Sequence, residues 1–225
     1  MTEKVQILTP SGKTAVAALA RPAAPVAPGL ILIHEWWGLN WEMEHIAEEF
    51  AKEGYLALAI DMFEGKVSDK PEVAEKLMNE MDTQHAAEAL AGWIAWLRKS
   101  PACNGRVGTL GYCLGGAWSL NASISTPVEA TVIYHGKVDK PAAQLAALKG
   151  PVLGHFALKE TYVPPASARA FAQAMRAAGK DAEVHFYDAE HAFARPKGPN
   201  FHKPSADLAW SRTLAFLNRT LGGGK

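Results

Sequence analysis

Gly111-Tyr112-Cys113-Leu114-Gly115-Gly116 is the stretch on which the fold turns. It follows Arg106-Val107-Gly108-Thr109-Leu110, which reads as a buried strand, and leads into Ala117-Trp118-Ser119-Leu120, which reads as the first turns of a helix. A residue flanked by glycine two places before and two places after, between strand and helix, is the nucleophile-elbow pattern. The turn is so tight that side chains at the flanking positions would collide with neighbouring backbone, which glycine avoids. Cysteine stands at the centre where serine is usual, and this directs the reading to thiol chemistry.

Outward from the elbow the chain alternates strands and helices. Val5–Leu8 and Ala15–Leu19 flank the turn Pro10-Ser11-Gly12-Lys13 as an N-terminal hairpin. Leu30-Ile31-Leu32-Ile33 is an uninterrupted apolar run, as in a strand covered on both faces. A helix carrying Ile46 and Phe50 stops at Gly54, and Tyr55–Ile60 is the next strand. A polar loop, 61–70, precedes a helix opened by Pro71, and a second helix covers Ala86–Leu97. Beyond the elbow come strands at Ala130–Tyr134, Pro151–Phe156 and Glu183–Tyr187. Helices are expected at Ala142–Leu148, Pro165–Ala178 and Ala206–Leu217. This alternation implies a mostly parallel α/β sheet with helices on both faces. No repeat or linker interrupts it, so residues 1–225 read as one domain, with the tail Leu221–Lys225 frayed.

A chain of 225 residues is long enough to bury a core without disulfides. Lys+Arg and Asp+Glu balance at 23 each, so no long-range field recruits nucleic acid or an acidic membrane surface. The N-terminus lacks the apolar core of a signal peptide, and no apolar run approaches the roughly 18 residues of a membrane span. Cys103 and Cys113 are the only cysteines. Together these features give the expectation of a soluble cytoplasmic protein with Cys113 as a free thiol. No pattern in the chain fixes an oligomeric state.

In such a sheet, function collects at the C-terminal ends of the strands. A thiol with an ordinary pKa of about 8.5 is mostly protonated at neutral pH, so Cys113 needs a base, a helix N-terminus, or both. In α/β-hydrolases the order along the chain is nucleophile, acid, histidine. His191 follows the last strand and is the expected base; the other seven histidines read as polar surface residues. Glu160 is the only carboxylate in the loop 157–164, where the acid belongs, with Asp139 in reserve and Asp188 out of order. A developing oxyanion would be held by the N–H groups of Leu114 and Trp36. Trp37 is a candidate pocket wall, Trp93 and Trp96 are expected to pack on the sheet, and Cys103 lies in the turn 101–105. His34-Glu35 lacks the second histidine of a His-Glu-x-x-His zinc motif, because Gly38 stands there, so no metal is expected.

These residues together resemble the dienelactone hydrolase (carboxymethylenebutenolidase-like) family of α/β-hydrolases. Gly111–Gly116 matches its elbow, His34–Asn40 its glutamate-bearing segment, Gly154–Pro164 its acid loop, and His191–Arg195 its histidine loop. The resemblance implies a cysteine hydrolase of small, anionic lactones or esters that works through a Cys113 acyl-enzyme without a cofactor. It makes Glu35 the carboxylate that helps control thiol ionisation and Arg195 the partner of a substrate carboxylate. The chain departs from the family in carrying glutamate at 160 where aspartate is usual. It also has no arginine between Asp61 and Ala95, where Lys66, Lys70 and Lys76 are the only cations. The alternatives are a catalytically silent small-carboxylate-binding protein and a hydrolase of unrelated esters or thioesters.

Overall fold

The structure is a computed structural model that describes residues 1–222. Its eight strands are β1 (Glu3–Leu8), β2 (Thr14–Ala20), β3 (Ala27–Ile33), β4 (Leu56–Ile60), β5 (Cys103–Tyr112), β6 (Ala130–Tyr134), β7 (Val152–Lys159) and β8 (Ala182–Glu190). They form one sheet in the order β1-β2-β4-β3-β5-β6-β7-β8. The hairpin β1–β2 is antiparallel and joins antiparallel to β4; every pair from β4 to β8 is parallel. The helices are α1 (Trp41–Lys52), α2 (Pro71–Asn79), α3 (Thr83–Lys99), α4 (Leu114–Ser125), α5 (Ala142–Leu145), α6 (Pro165–Ala177) and α7 (Lys203–Leu221). This is the α/β-hydrolase fold.

The period of two along a strand divides the core. Leu30 and Leu32 of β3 pack with Phe50 of α1 and with Phe216 and Leu217 of α7 on one face. Ile31 and Ile33 point the other way, onto Leu90, Trp93, Ile94 and Leu97 of α3. A third cluster, built on Phe156, Phe171 and Met175, fills the space under α4, α5 and α6. Covered on both sides, β3, β4 and β6 are buried throughout, which is why they read as unbroken apolar runs.

Three boundaries differ from the sequence reading in ways that matter. β5 begins at Cys103, so this residue starts a strand rather than sitting in a turn; its Sγ contacts the Arg106 carbonyl at 3.8 Å. β7 runs on to Lys159, paired beside β8, and delivers Glu160 directly from a strand end. Leu221 is fully buried and Gly222 caps α7 in a left-handed conformation, so the chain is anchored there. The rest of the tail expected to fray, 223–225, lies outside the described residues. Among the described residues no helix is long and apolar enough to cross a membrane.

Candidate active site

Cys113 sits at the junction of β5 and α4 with φ 52° and ψ −112°, a backbone conformation that costs energy for any residue with a side chain. The glycines around it make the turn feasible. A Cβ on Gly111 would lie 2.0 Å from the carbonyl oxygen of Gly115, and one on Gly115 would lie 2.2 Å from that of Ile33. The helix thus packs backbone against backbone over β3 and lifts the sulfur to the sheet's C-terminal edge.

His191 follows β8 immediately, and its carbonyl accepts a bond from Asn200 Nδ2 at 3.0 Å, which ties the loop down. Its Nδ1–H donates to Glu160 Oε2 at 2.5 Å, and its Nε2 lies 3.1 Å from Cys113 Sγ. With Nδ1 carrying the proton, Nε2 is the acceptor for the thiol. Glu160 is buried, and its second oxygen accepts from the Tyr162 N–H at 2.7 Å. Burial works against its charge, yet the bonds from His191 and the Tyr162 and Val163 amides outweigh it and hold the carboxyl below its usual range. Asp139 is exposed, and exposed Asp188 pairs with Lys159 at 2.9 Å; neither reaches His191.

The thiol itself is held protonated. Burial, and then the charge of Glu35, push Cys113 up to about 12, against a smaller opposing pull from the Leu114 N–H. Glu35 is buried, and among the described residues its carboxylate makes no hydrogen bond; it lies 3.7 Å from His135 Nε2 and 3.8 Å from Arg195 Nε. The segment that carries it is pinned by His34. That ring's Nδ1 donates to the Glu35 carbonyl at 2.5 Å, and its Nε2 accepts from the Met62 N–H at 3.1 Å. With both nitrogens occupied by protein, His34 clamps β3 to β4. Among the described residues no backbone carbonyl takes the N–H of Trp36 or of Leu114, and the Leu114 N–H faces the Cys113 sulfur.

Two cavities meet at this edge. One, of about 330 Å³, contains Cys113, His191, Glu160, Trp36, Tyr162 and Met78. The other, of about 310 Å³, is walled largely by Trp41, Ile46, Tyr112 and Pro196. Glu35, Trp37 and Arg195 belong to both and form the partition. The Arg195 guanidinium stacks 4.8 Å over the Trp37 ring, and its Nε donates to Glu42 Oε2 at 2.9 Å. Lys66, Lys70 and Lys76 line neither cavity.

Several site residues were not found from the sequence. His34, His85, His135 and His155 are buried, which overturns their reading as surface residues. His135 has φ 41° and sits 4.7 Å, ring to ring, from His191, with neither nitrogen hydrogen-bonded. Lys137 lies 4.6 Å over the Tyr162 ring and is the cation that lowers the cost of a thiolate at Cys113. Both follow the C-terminal end of β6, so the strand-end rule that located the other loops would have located this one.

Comparison with known proteins gives a consistent result. The model of the dienelactone hydrolase family matches residues 16–221. Carboxymethylenebutenolidase of Pseudomonas putida is 30% identical over 228 residues, covering 96% of each chain. Carboxymethylenebutenolidase 1 of Cupriavidus pinatubonensis is 26% identical over 227 residues, covering 96% of this chain and 97% of that one. A dienelactone hydrolase-like promiscuous phosphotriesterase from metagenomic libraries superposes with a TM-score of 0.87 at 21% identity, over 100% of this chain and 99% of that one.

Proposed function

The chain belongs to the dienelactone hydrolase family of lactone and ester hydrolases, and on that premise we propose that it cleaves a small lactone or ester through a Cys113 acyl-enzyme. The observation that carries this reading is the continuous relay from Cys113 Sγ to His191 Nε2, and from His191 Nδ1 to Glu160. His191 takes the thiol proton as the sulfur attacks the carbonyl carbon. The negative charge on the former carbonyl oxygen is met by the N–H groups of Trp36 and Leu114. When the C–O bond breaks, His191 returns its proton to the departing oxygen and a thioester remains. A water then gives a proton to His191 as its oxygen attacks the thioester; the C–S bond breaks, the carboxylic acid forms, and His191 returns the proton to the sulfur.

Glu160 keeps the imidazole in the working tautomer and balances the charge that His191 acquires. Burial first, and the charge of Glu35 second, hold the resting sulfur in its neutral form, so the thiolate forms only as His191 takes the proton. Trp37 offers a flat apolar wall, and Arg195 is the cation that an acidic substituent would meet. No cofactor takes part in these steps.

The test combines turnover with trapping. Cys113→Ala should remove hydrolysis of a neutral aryl ester, and wild type quenched in acid should carry a thioester on the peptide containing Cys113. Residual turnover above about a hundredth of wild type in Cys113→Ala would sink the nucleophile role. Alkylation of Cys113 should also slow in His191→Ala; a rate unchanged by that substitution would count against the relay.

A further inference from the structure

Glu42 has no part in the relay, yet it makes the shortest contact to the site's arginine. It lies in the first turn of α1, its carboxylate only about one-seventh exposed, and Oε2 accepts from Arg195 Nε at 2.9 Å. Glu35 stands on the same guanidinium at 3.8 Å and Trp37 covers its face at 4.8 Å. The arginine therefore has two carboxylates and an aromatic ring before any substrate arrives. The charges around the cavity with Cys113 do not favour a third anion. Its walls carry Glu35 and Glu160 against Arg195, with exposed Lys137 over the Tyr162 ring. The segment 61–95 adds no cation to either cavity.

We propose that Glu42 is a specificity-determining residue: by holding Arg195 in a preformed ion pair it offsets the charge a substrate carboxylate would need and commits the site to uncharged lactones and esters. The proposal rests on the reading of Cys113 as the reacting thiol and narrows its substrate class. Both carboxylates lie on Arg195 Nε, at 2.9 and 3.8 Å. A carboxylate on the substrate, approaching the Nη groups, would meet a guanidinium whose charge is already balanced and would add like-charge repulsion. An uncharged ester disturbs none of these contacts and gains the Trp37 face. The carboxyl group of Glu42 thus offsets the arginine's charge in advance, and its amide counterpart would not.

Two alkylating agents of nearly the same shape read this directly. Iodoacetamide is neutral and iodoacetate carries a carboxylate, and each alkylates the thiol with loss of iodide. Their rates at Cys113 are measured on the intact protein by peptide-resolved mass spectrometry, with Cys103 as the internal reference. Glu42→Gln keeps shape and packing, and Glu42→Met, of the same length, serves as the second variant. Each should raise the iodoacetate-to-iodoacetamide rate ratio at Cys113 about tenfold, as expected for one unscreened charge at a partly buried site. The rise should shrink below about threefold in an Arg195→Gln background, because Glu42 then has no charge to offset. The parallel measurement is kcat/KM for an aryl ester against the same ester bearing a carboxylate, where wild type prefers the neutral member and Glu42→Gln narrows the gap. A ratio that moves less than about threefold in both Glu42 variants, or equally with and without Arg195, overturns the proposal. The hydrolase reading is judged separately, by wild-type turnover of the neutral ester, so the two fail independently.

Discussion

His135 follows the end of β6 and His155 lies within the neighbouring β7; both are fully enclosed, and their surroundings are opposite. His155 Nδ1 meets the Tyr187 hydroxyl at 2.8 Å and Nε2 meets Thr213 Oγ1 at 3.0 Å. The network closes through Tyr134 to Thr213 at 2.7 Å and Arg212 to Tyr187 at 3.1 Å. His135 has no hydrogen bond on either nitrogen and lies between Glu35 and His191. Burial lowers the pKa of both rings. The satisfied network holds α7 onto the sheet. The unsatisfied one lies at the edge that carries Cys113, between Glu35 and His191. A fold can tolerate an orphaned polar group, at a cost of about 1–3 kcal/mol, and such sites cluster where function requires them.

The contrast can be broken at several points. His191→Ala should lower kcat/KM on a neutral ester about 10³-fold, as loss of the proposed base, and should lower Tm somewhat, because the buried Glu160 carboxylate loses its partner. Glu160→Gln comes next, with a loss of about 10²-fold in kcat and little change in KM, because the amide leaves the imidazole free to adopt the wrong tautomer. Unchanged activity there would return the acid role to Asp139 or remove it altogether.

On the structural side the readout is stability. Thr213→Val takes one partner each from Tyr134 and His155, and denaturant unfolding should report a loss of about 1–3 kcal/mol with activity retained. If Thr213→Val damaged turnover as much as Glu160→Gln, the two networks would not be separable. The smallest effect is expected for His135→Phe, within about 1 kcal/mol of wild type, since an apolar ring of similar shape removes two orphaned nitrogens. A destabilisation matching that of His155→Phe would show that His135 is held by something other than packing.

The histidines also set a pH dependence. His34, His135, His155 and His185 are all lowered from 6.5 by burial, so the folded protein keeps them neutral where the unfolded chain takes up protons. Their share of the stability is therefore full above pH 6.5 and falls as the pH drops below it. Tm should be flat from about pH 6.5 to about 8 and decline toward about pH 5, with a shallower decline in His135→Phe, and should fall again above about pH 9, where the unfolded Cys113 thiol ionises and the folded one does not. A Tm that rose on mild acidification would contradict the neutral state of these rings.

Much of this molecule was legible from short stretches of chain. Backbone sterics write Gly111 and Gly115 into the sequence, because a Cβ at either would run into neighbouring backbone. Two-sided burial writes itself as the apolar runs of β3, β4 and β6. The order elbow, Glu160, His191 could be read because each lies at the end of a strand, and strand ends gather at one edge of a parallel sheet. Tertiary structure alone decided the electrostatics. Arg195 and Glu42 are 153 residues apart, and nothing local to either marks the other as its partner. Whether a buried histidine is satisfied, as at 155, or orphaned, as at 135, depends on side chains brought in by α7 and β8. Local steric rules act over a few residues and leave a pattern in the chain. Charge pairing acts across space, and becomes definite only when distant segments are packed against each other.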